Sequence, residues 1–224
     1  MRSILFFCST LILFSFSSVF SQNFKFQLPP GYNKILAGDE IPGKEGNLYL
    51  NEAWMPGSVI LKNGIKINGL KYRYCVYNKE MQFQFENACY LIGAPDSIEK
   101  IIIGNKIFIY SSLLKNNNLE KDYFEVIIDG RVKLLARYVT EVIHSNYNVA
   151  LSTGSKNDKI NIKEQYYLQK SGLDALLIDK KGKSVELSFS DKMKEMKEYL
   201  DKEKISYKKE KNLIALVQYY NSLN

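Results

Sequence analysis

One histidine in 224 residues leaves little of the chemistry that hydrolases and metal sites usually recruit. It is His144, flanked by Glu141 and Ser145. On a strand, adjacent residues point to opposite faces, so Ser145 is badly placed to serve as a nucleophile for it. His144 reads as a strand-end or loop residue with no special role. Cysteine is nearly as scarce, at three. One histidine and separated cysteines do not make the usual zinc sets. Asn157-Asp158 and Asp201-Lys202-Glu203 lack the dense alternating acids of an EF-hand loop. No G-x-x-x-x-G-K-[ST] pattern is there to cradle a phosphate. No residue is therefore assigned to catalysis, to a cofactor or to a metal. A triad or a carboxylate pair assembled in space stays open, because neither is visible as a local motif.

Long apolar runs are also missing, except at the start. Arg2, then Ile4 to Phe16, then the small residues Ser17, Ser18 and Ser21 follow the order of a secretory signal, with cleavage expected after Ser21. Serines break the second half of the run and no basic stop-transfer cluster follows, which argues against an uncleaved anchor. Cys8 lies too early, behind Phe6 and Phe7, to be a lipidated cysteine. Later stretches are too short to span a bilayer, so no transmembrane segment is expected once the signal is removed. The expected location is exported, either periplasmic or secreted.

Charge of one sign never accumulates. The formal net charge is +7, yet no block of five like charges occurs. Between Ser190 and Lys211, eight Lys interleave with six acids, the pattern of a solvated helix face. Export and this mixing together exclude nucleic acid as the expected partner. At 46% hydrophobic and 13% aromatic residues the chain is globular rather than disordered. Sixteen Tyr against one Trp suit half-buried strand positions, where a ring packs and a hydroxyl stays wet.

Two cysteines follow the signal, Cys75 and Cys89. They are a candidate disulfide in an oxidising compartment, or else two buried thiols. With a tight turn at Asn78–Glu80, Cys75 faces about Phe83, so a bridge needs a bend near Asn87.

Breakers dominate Gln22–Asn47: Pro29, Pro30, Gly31, Gly38, Pro42, Gly43 and Gly46. This stretch is expected to be extended and partly irregular, with a short strand at Phe24–Leu28. From Leu48 to Phe189 the text is β-rich. Asn63-Gly64, Gly104-Asn105 and Asp129-Gly130 each separate two strand-like runs with residues that tolerate positive φ, the mark of antiparallel hairpins. The last of these sets Ile128 opposite Arg131 and Phe124 opposite Leu135. Tyr123–Ile128 is apolar on both faces apart from Glu125, as in a strand covered on both sides. Met81–Phe85 alternates and predicts one wet face. Leu113–Glu120 and Asn146–Asp158 read as loops. Strands resume at Glu164–Gln169, Leu173–Ile178 and Lys183–Phe189. Ser190 is then placed to cap a helix, and a second helix follows over Lys209–Leu223 with a broad apolar face.

The segments LYLNEAWMPGSVILKNG (Leu48–Gly64), DYFEVIIDGRVKLLARY (Asp122–Tyr138), EQYYL (Glu164–Leu168) and NLIALVQYYNSL (Asn212–Leu223) together resemble a family of exported, uncharacterised bacterial proteins. The resemblance covers most of the chain after the signal. It implies a secreted β-rich body with a helical ending, and it carries over no catalytic residue.

The fold class expected is α+β. An antiparallel β meander, as an open sheet or a small barrel-like one, is packed with two C-terminal helices. The divisions are 1–21 signal, 22–47 lead-in, 48–189 β domain and 190–224 helical pair. Tyr72, Tyr74 and Tyr77 are a candidate aromatic binding surface, against a reading of them as core. The function expected is a non-enzymatic exported module that binds an envelope protein or a glycan. The alternative is a hydrolase whose residues gather in space.

Overall fold

A computed structural model describes residues 34–35 and 44–223, apart from 87, 116–117, 149, 180 and 208. The expected signal peptide, the strand at Phe24–Leu28 and most of the lead-in fall outside the described residues.

The strands are β1 (Lys34–Ile35), β2 (Lys44–Gly46), β3 (Met55–Leu61), β4 (Lys66–Cys75), β5 (Glu80–Phe85), β6 (Ala88–Leu91), β7 (Ile98–Ile103), β8 (Lys106–Lys115), β9 (Asn118–Ile128), β10 (Val132–Ile143), β11 (Asp158–Lys170) and β12 (Leu176–Leu177). The helices are α1 (Lys183–Ser188), α2 (Met193–Glu203) and α3 (Glu210–Ser222). All the strands join one sheet, in the order β1-β6-β5-β4-β3-β7-β8-β9-β10-β11-β12, with β2 beside β11. Every pairing is antiparallel except that of β2 with β11. The protein is α+β, an open sheet not closed into a barrel.

The meander follows the turn chemistry. Gly104 carries a φ of 59°, which lets Ile103 pair with Lys106 across two residues. Gly64, at φ 86°, ends the β3–β4 turn, where the Asn63 side chain accepts the Ile65 N–H at 3.1 Å.

The Asp129-Gly130 hairpin departs from the expected register. Ile128 pairs with Leu134 rather than Arg131, and Leu135 with Val126 rather than Phe124. The cause comes from the far end of the chain. The Asn221 carboxamide on α3 accepts the Val132 N–H at 3.0 Å and donates to the Val132 carbonyl at 2.9 Å. Val132 is thereby drawn away from β9, and the loop opens around the helix. A Cβ on Gly130 would lie 2.4 Å from the Asn221 nitrogen, so only glycine admits this approach.

Three further expectations are corrected. Lys183–Phe189 is helical, not a strand: Val185 and Phe189, four residues apart, are both buried while Leu187 is exposed, which is the helical period. There are thus three C-terminal helices rather than two. Ser190 caps no helix; Ser190–Lys192 is a 3₁₀ turn, and the Asp191 carboxylate instead accepts the Tyr220 hydroxyl at 2.9 Å and Lys170 at 2.8 Å. Leu113–Glu120 is largely strand, since Leu113 pairs with Glu120 and Lys115 with Asn118.

Two clusters cover the two faces of the β9–β11 region, as Tyr123–Ile128 suggested. On one face α3 buries Leu213, Leu216, Val217 and Tyr220 against Val132, Leu134 and Leu168, with α1 and α2 adding Val185 and Met196. Each such side chain contributes about 1.5–3 kcal/mol. On the other, Leu113, Phe124, Leu135, Tyr167 and Ala175 pack together. A single bridge from Leu113 to Ala175, with the Ala175 N–H on the Ser112 carbonyl at 2.9 Å, curls β8 toward the β11–β12 connection.

Candidate functional site

The candidate site is a pocket at the β7–β8 turn. Met55 on β3, Tyr72 and Tyr74 on β4, Ile103 on β7 and Phe108 on β8 line it, together with Leu50 and Asn51. Its volume is about 130 Å³. Strand alternation puts these side chains together: Met55 pairs with Tyr72, and Ile101, on the Ile103 face, pairs with Phe108. The Tyr74 ring lies 5.9 Å from Phe108 and 5.7 Å from Tyr123. Gly57 makes room for the Tyr72 ring, which would stand 2.9 Å from a Cβ there.

The segment that brings Leu50 and Asn51 to the pocket is held along the edge of β4 and from the face opposite Tyr72 and Tyr74. Leu50 donates to the Tyr74 carbonyl at 3.0 Å. Behind it, the Arg73 guanidinium lies between the Tyr49 and Trp54 rings, at 3.9 and 4.3 Å from their centroids. Arg73 also donates to Gln82 at 3.0 Å. The wet face expected at Met81–Phe85 is consequently covered at Gln82, which is buried, while Gln84 on the same face is half-buried.

At one side the pocket meets charge. Lys106, which lines it, donates to both Glu125 oxygens at 2.9 and 2.7 Å and to the Tyr138 hydroxyl at 3.3 Å. Tyr138 donates in turn to Glu125. Burial, reinforced by the hydrogen bond to Glu125, pushes the Tyr138 hydroxyl far above its ordinary pKa, so it stays a proton donor.

A second polar group marks the place where the sheet splits. Pairing of β9 with β10 ends at Glu125–Ala136, while β8–β9 and β10–β11 continue as separate arms. Asp122 and Arg137 bridge the gap at 2.6 Å, with side chains 1% and 3% exposed. The end of β4 and the β4–β5 turn reach it: the Tyr74 hydroxyl lies 3.5 Å from Asp122, and Lys79 of the turn lies 3.9 Å away. A cleft of about 250 Å³ lined by Val76, Lys79, Arg137, Thr140 and Gln165 opens there.

The candidate aromatic surface is corrected in part. Tyr72 and Tyr74 are 1% and 2% exposed and form pocket walls and core, not a surface platform; Tyr77 does not join them. The β4 strand curls inward, so its inner face meets β8 and β9 rather than water. The candidate Cys75–Cys89 bridge is not made, and both are buried free thiols. Cys75 pairs with Glu80 and Cys89 with Gln84, placing β5 between their strands. Two strand spacings are about 9.6 Å, beyond the reach of a disulfide. Burial also pushes the Cys75 thiol pKa up. His144 is 84% exposed, with Nδ1 at 3.5 Å from Asp158, and Ser145 gives Asp158 only its N–H. Among the described residues, no three His, Cys, Asp or Glu side chains are placed to hold a metal.

Lys106, Tyr138, Asp122 and Arg137 were not singled out from sequence. One signal pointed to Lys106 and Tyr138: Glu125 interrupts a run apolar on both faces, and a carboxylate there demands a partner.

No known protein family, curated protein or solved structure matches the chain.

Proposed function

We propose that the chain is an exported, non-catalytic module that binds a partner protein and holds one aromatic side chain of it in the Tyr72–Tyr74–Phe108 pocket. The pocket carries this reading. At about 130 Å³ it is of the scale of apolar cavities, about 150 Å³, that admit a benzene ring. Its walls are mostly apolar and aromatic, and Asn51, Arg73, Asn105 and Lys106 stand among them as the polar residues that orient a guest. Such a pocket suits the buried anchor at the centre of a protein interface. The buried carboxylates support binding over proton transfer, since Asp122 and Glu125 are each held in an ion pair. The leader-like start and the resemblance to exported proteins support the envelope setting.

Trp54, the single tryptophan, adjoins the wall residue Met55 and reports on the site. Titration with p-cresol, the tyrosine side-chain analogue, is expected to change its emission saturably. Leu50→Phe, which enlarges a side chain lining the pocket, is expected to weaken that response about tenfold. N-acetylglucosamine oligomers saturating the signal while p-cresol does not would replace the protein partner with a glycan.

A further inference from the structure

Among the described residues, the edge strand β11 is covered at both ends and open in the middle. On its inner side it pairs with β10 from Lys159 to Lys170. On its outer side β2 pairs with Asp158–Ile160 and β12 with Tyr167 and Leu168. Among the described residues nothing pairs with residues 161–165 on that side. Beside them is a notch of about 530 Å³, lined by Gly46, Asn47 and the β11 residues Lys159 to Lys163.

Two contacts show which main-chain groups face outward. The Tyr166 carbonyl accepts the Ile178 N–H at 2.8 Å from the β12 side. The Ile160 carbonyl points at β2, since a Cβ on Gly46 would lie 2.2 Å from its oxygen. Main-chain direction alternates along a strand, so Ile162 and Glu164 also face outward. Each presents an N–H and a C=O to the notch. Chain geometry explains why β2 stops short of them: Gly46 takes a φ of 115° and leads away toward Tyr49, which bridges Cys75 on β4.

We infer that this gap in the β11 edge takes an extended segment of a partner polypeptide, adding a strand between β2 and β12. The gap of five residues spans about 17 Å, enough for a strand of ordinary length. Main-chain hydrogen bonds at Ile162 and Glu164 supply the attraction and side chains on alternate faces the selectivity. One face of the gap carries Ile162 and Glu164, whose carboxylate accepts the Tyr166 hydroxyl at 2.7 Å; the other carries Asn161, Lys163 and Gln165, with Lys159 beside Lys163. The fitting segment therefore alternates apolar residues with acidic ones. Lys163 pairs with Glu141 at 2.6 Å, and both side chains are half exposed, so a partner acid can replace that pairing.

A second copy of this chain fits poorly. Antiparallel self-pairing of the two gaps centres on residue 163 and sets Lys163 against Lys163, a like-charge pair. The inference rests on the protein-binding reading for the class of partner, but it uses a different surface and a different probe.

The probe is the capped heptapeptide Glu-Val-Glu-Val-Glu-Val-Glu, added to the folded protein. Amide hydrogen exchange at Ile162 and Glu164 is expected to slow at least tenfold at saturation. The same peptide N-methylated on alternate residues is expected to have no effect. Glu164→Pro removes an outward N–H and no β10 ladder bond, so it is expected to stay folded and to lose the peptide. Lys163→Pro, whose N–H serves the ladder, is expected to destabilise the arm. Unchanged exchange at Ile162 and Glu164, or equal protection by the N-methylated peptide, overturns the inference even if Glu164→Pro fails to fold. Retained p-cresol binding in that case leaves the pocket reading standing, and its loss removes both.

Discussion

Asp122 on β9 and Arg137 on β10 meet at 2.6 Å just beyond the last paired residues of their two strands. The ion pair stands where ladder hydrogen bonds have stopped. It ties two diverging arms together and receives the β4–β5 turn between them. That turn ends the strand carrying Tyr72 and Tyr74, so the pair fixes the pocket wall from outside.

Arg137→Met strands the Asp122 carboxylate in a buried place and is expected to cost about 3–5 kcal/mol in urea unfolding. Asp122→Leu combined with Arg137→Met is expected to recover most of that loss. A strictly additive double mutant contradicts the coupling.

Asn221→Ala removes both partners of the Val132 main chain and is expected to cost about 1–3 kcal/mol. Gly130→Ala is expected to destabilise the normal chain, because the added Cβ collides with Asn221. In the Asn221→Ala background the same substitution is expected to cost less. Thermal melts of the four proteins check this.

The Asp191 carboxyl is held down to about 2 from 3.8, chiefly by the Lys170 hydrogen bond and with help from Tyr220. Its folded pKa lies below its unfolded one. Its contribution is therefore whole above about pH 4 and is lost as pH falls through about 2. Asp191→Asn is expected to lower stability at neutral pH and to flatten the acid limb in that window. An acid limb identical in the two proteins contradicts the assignment.

Cys75 and Cys89 are expected to resist a thiol reagent in the folded protein and to react fully in denaturant, with no dependence on reductant. A non-reducing digest that yields a peptide linking the two contradicts the strand order between them.

Much of this architecture is written in local chemistry. Gly104-Asn105 closes its hairpin because the turn needs only what those residues supply. The apolar stripe Leu213–Tyr220 shows the buried face of α3 by spacing alone. The β9–β10 register is different: it is set by Asn221, which is remote in sequence from Val132, so no local pattern reveals it. Val185, Leu187 and Phe189 alternate like a strand, and only the packing of α1 against α3 and β11 shows that Leu187 faces out. Tyr72 and Tyr74 were legible as an aromatic pair on one strand face. Whether that face looked outward depended on the curl of the sheet, which is a property of many strands together.

The most direct test is methyl NMR of the folded protein during titration with p-cresol. The account predicts saturable shifts of the Met55, Leu50 and Ile103 methyls, with the exposed Leu177 and Leu187 unmoved. Shifts at Leu177 and Leu187 while the pocket methyls stay still would contradict it.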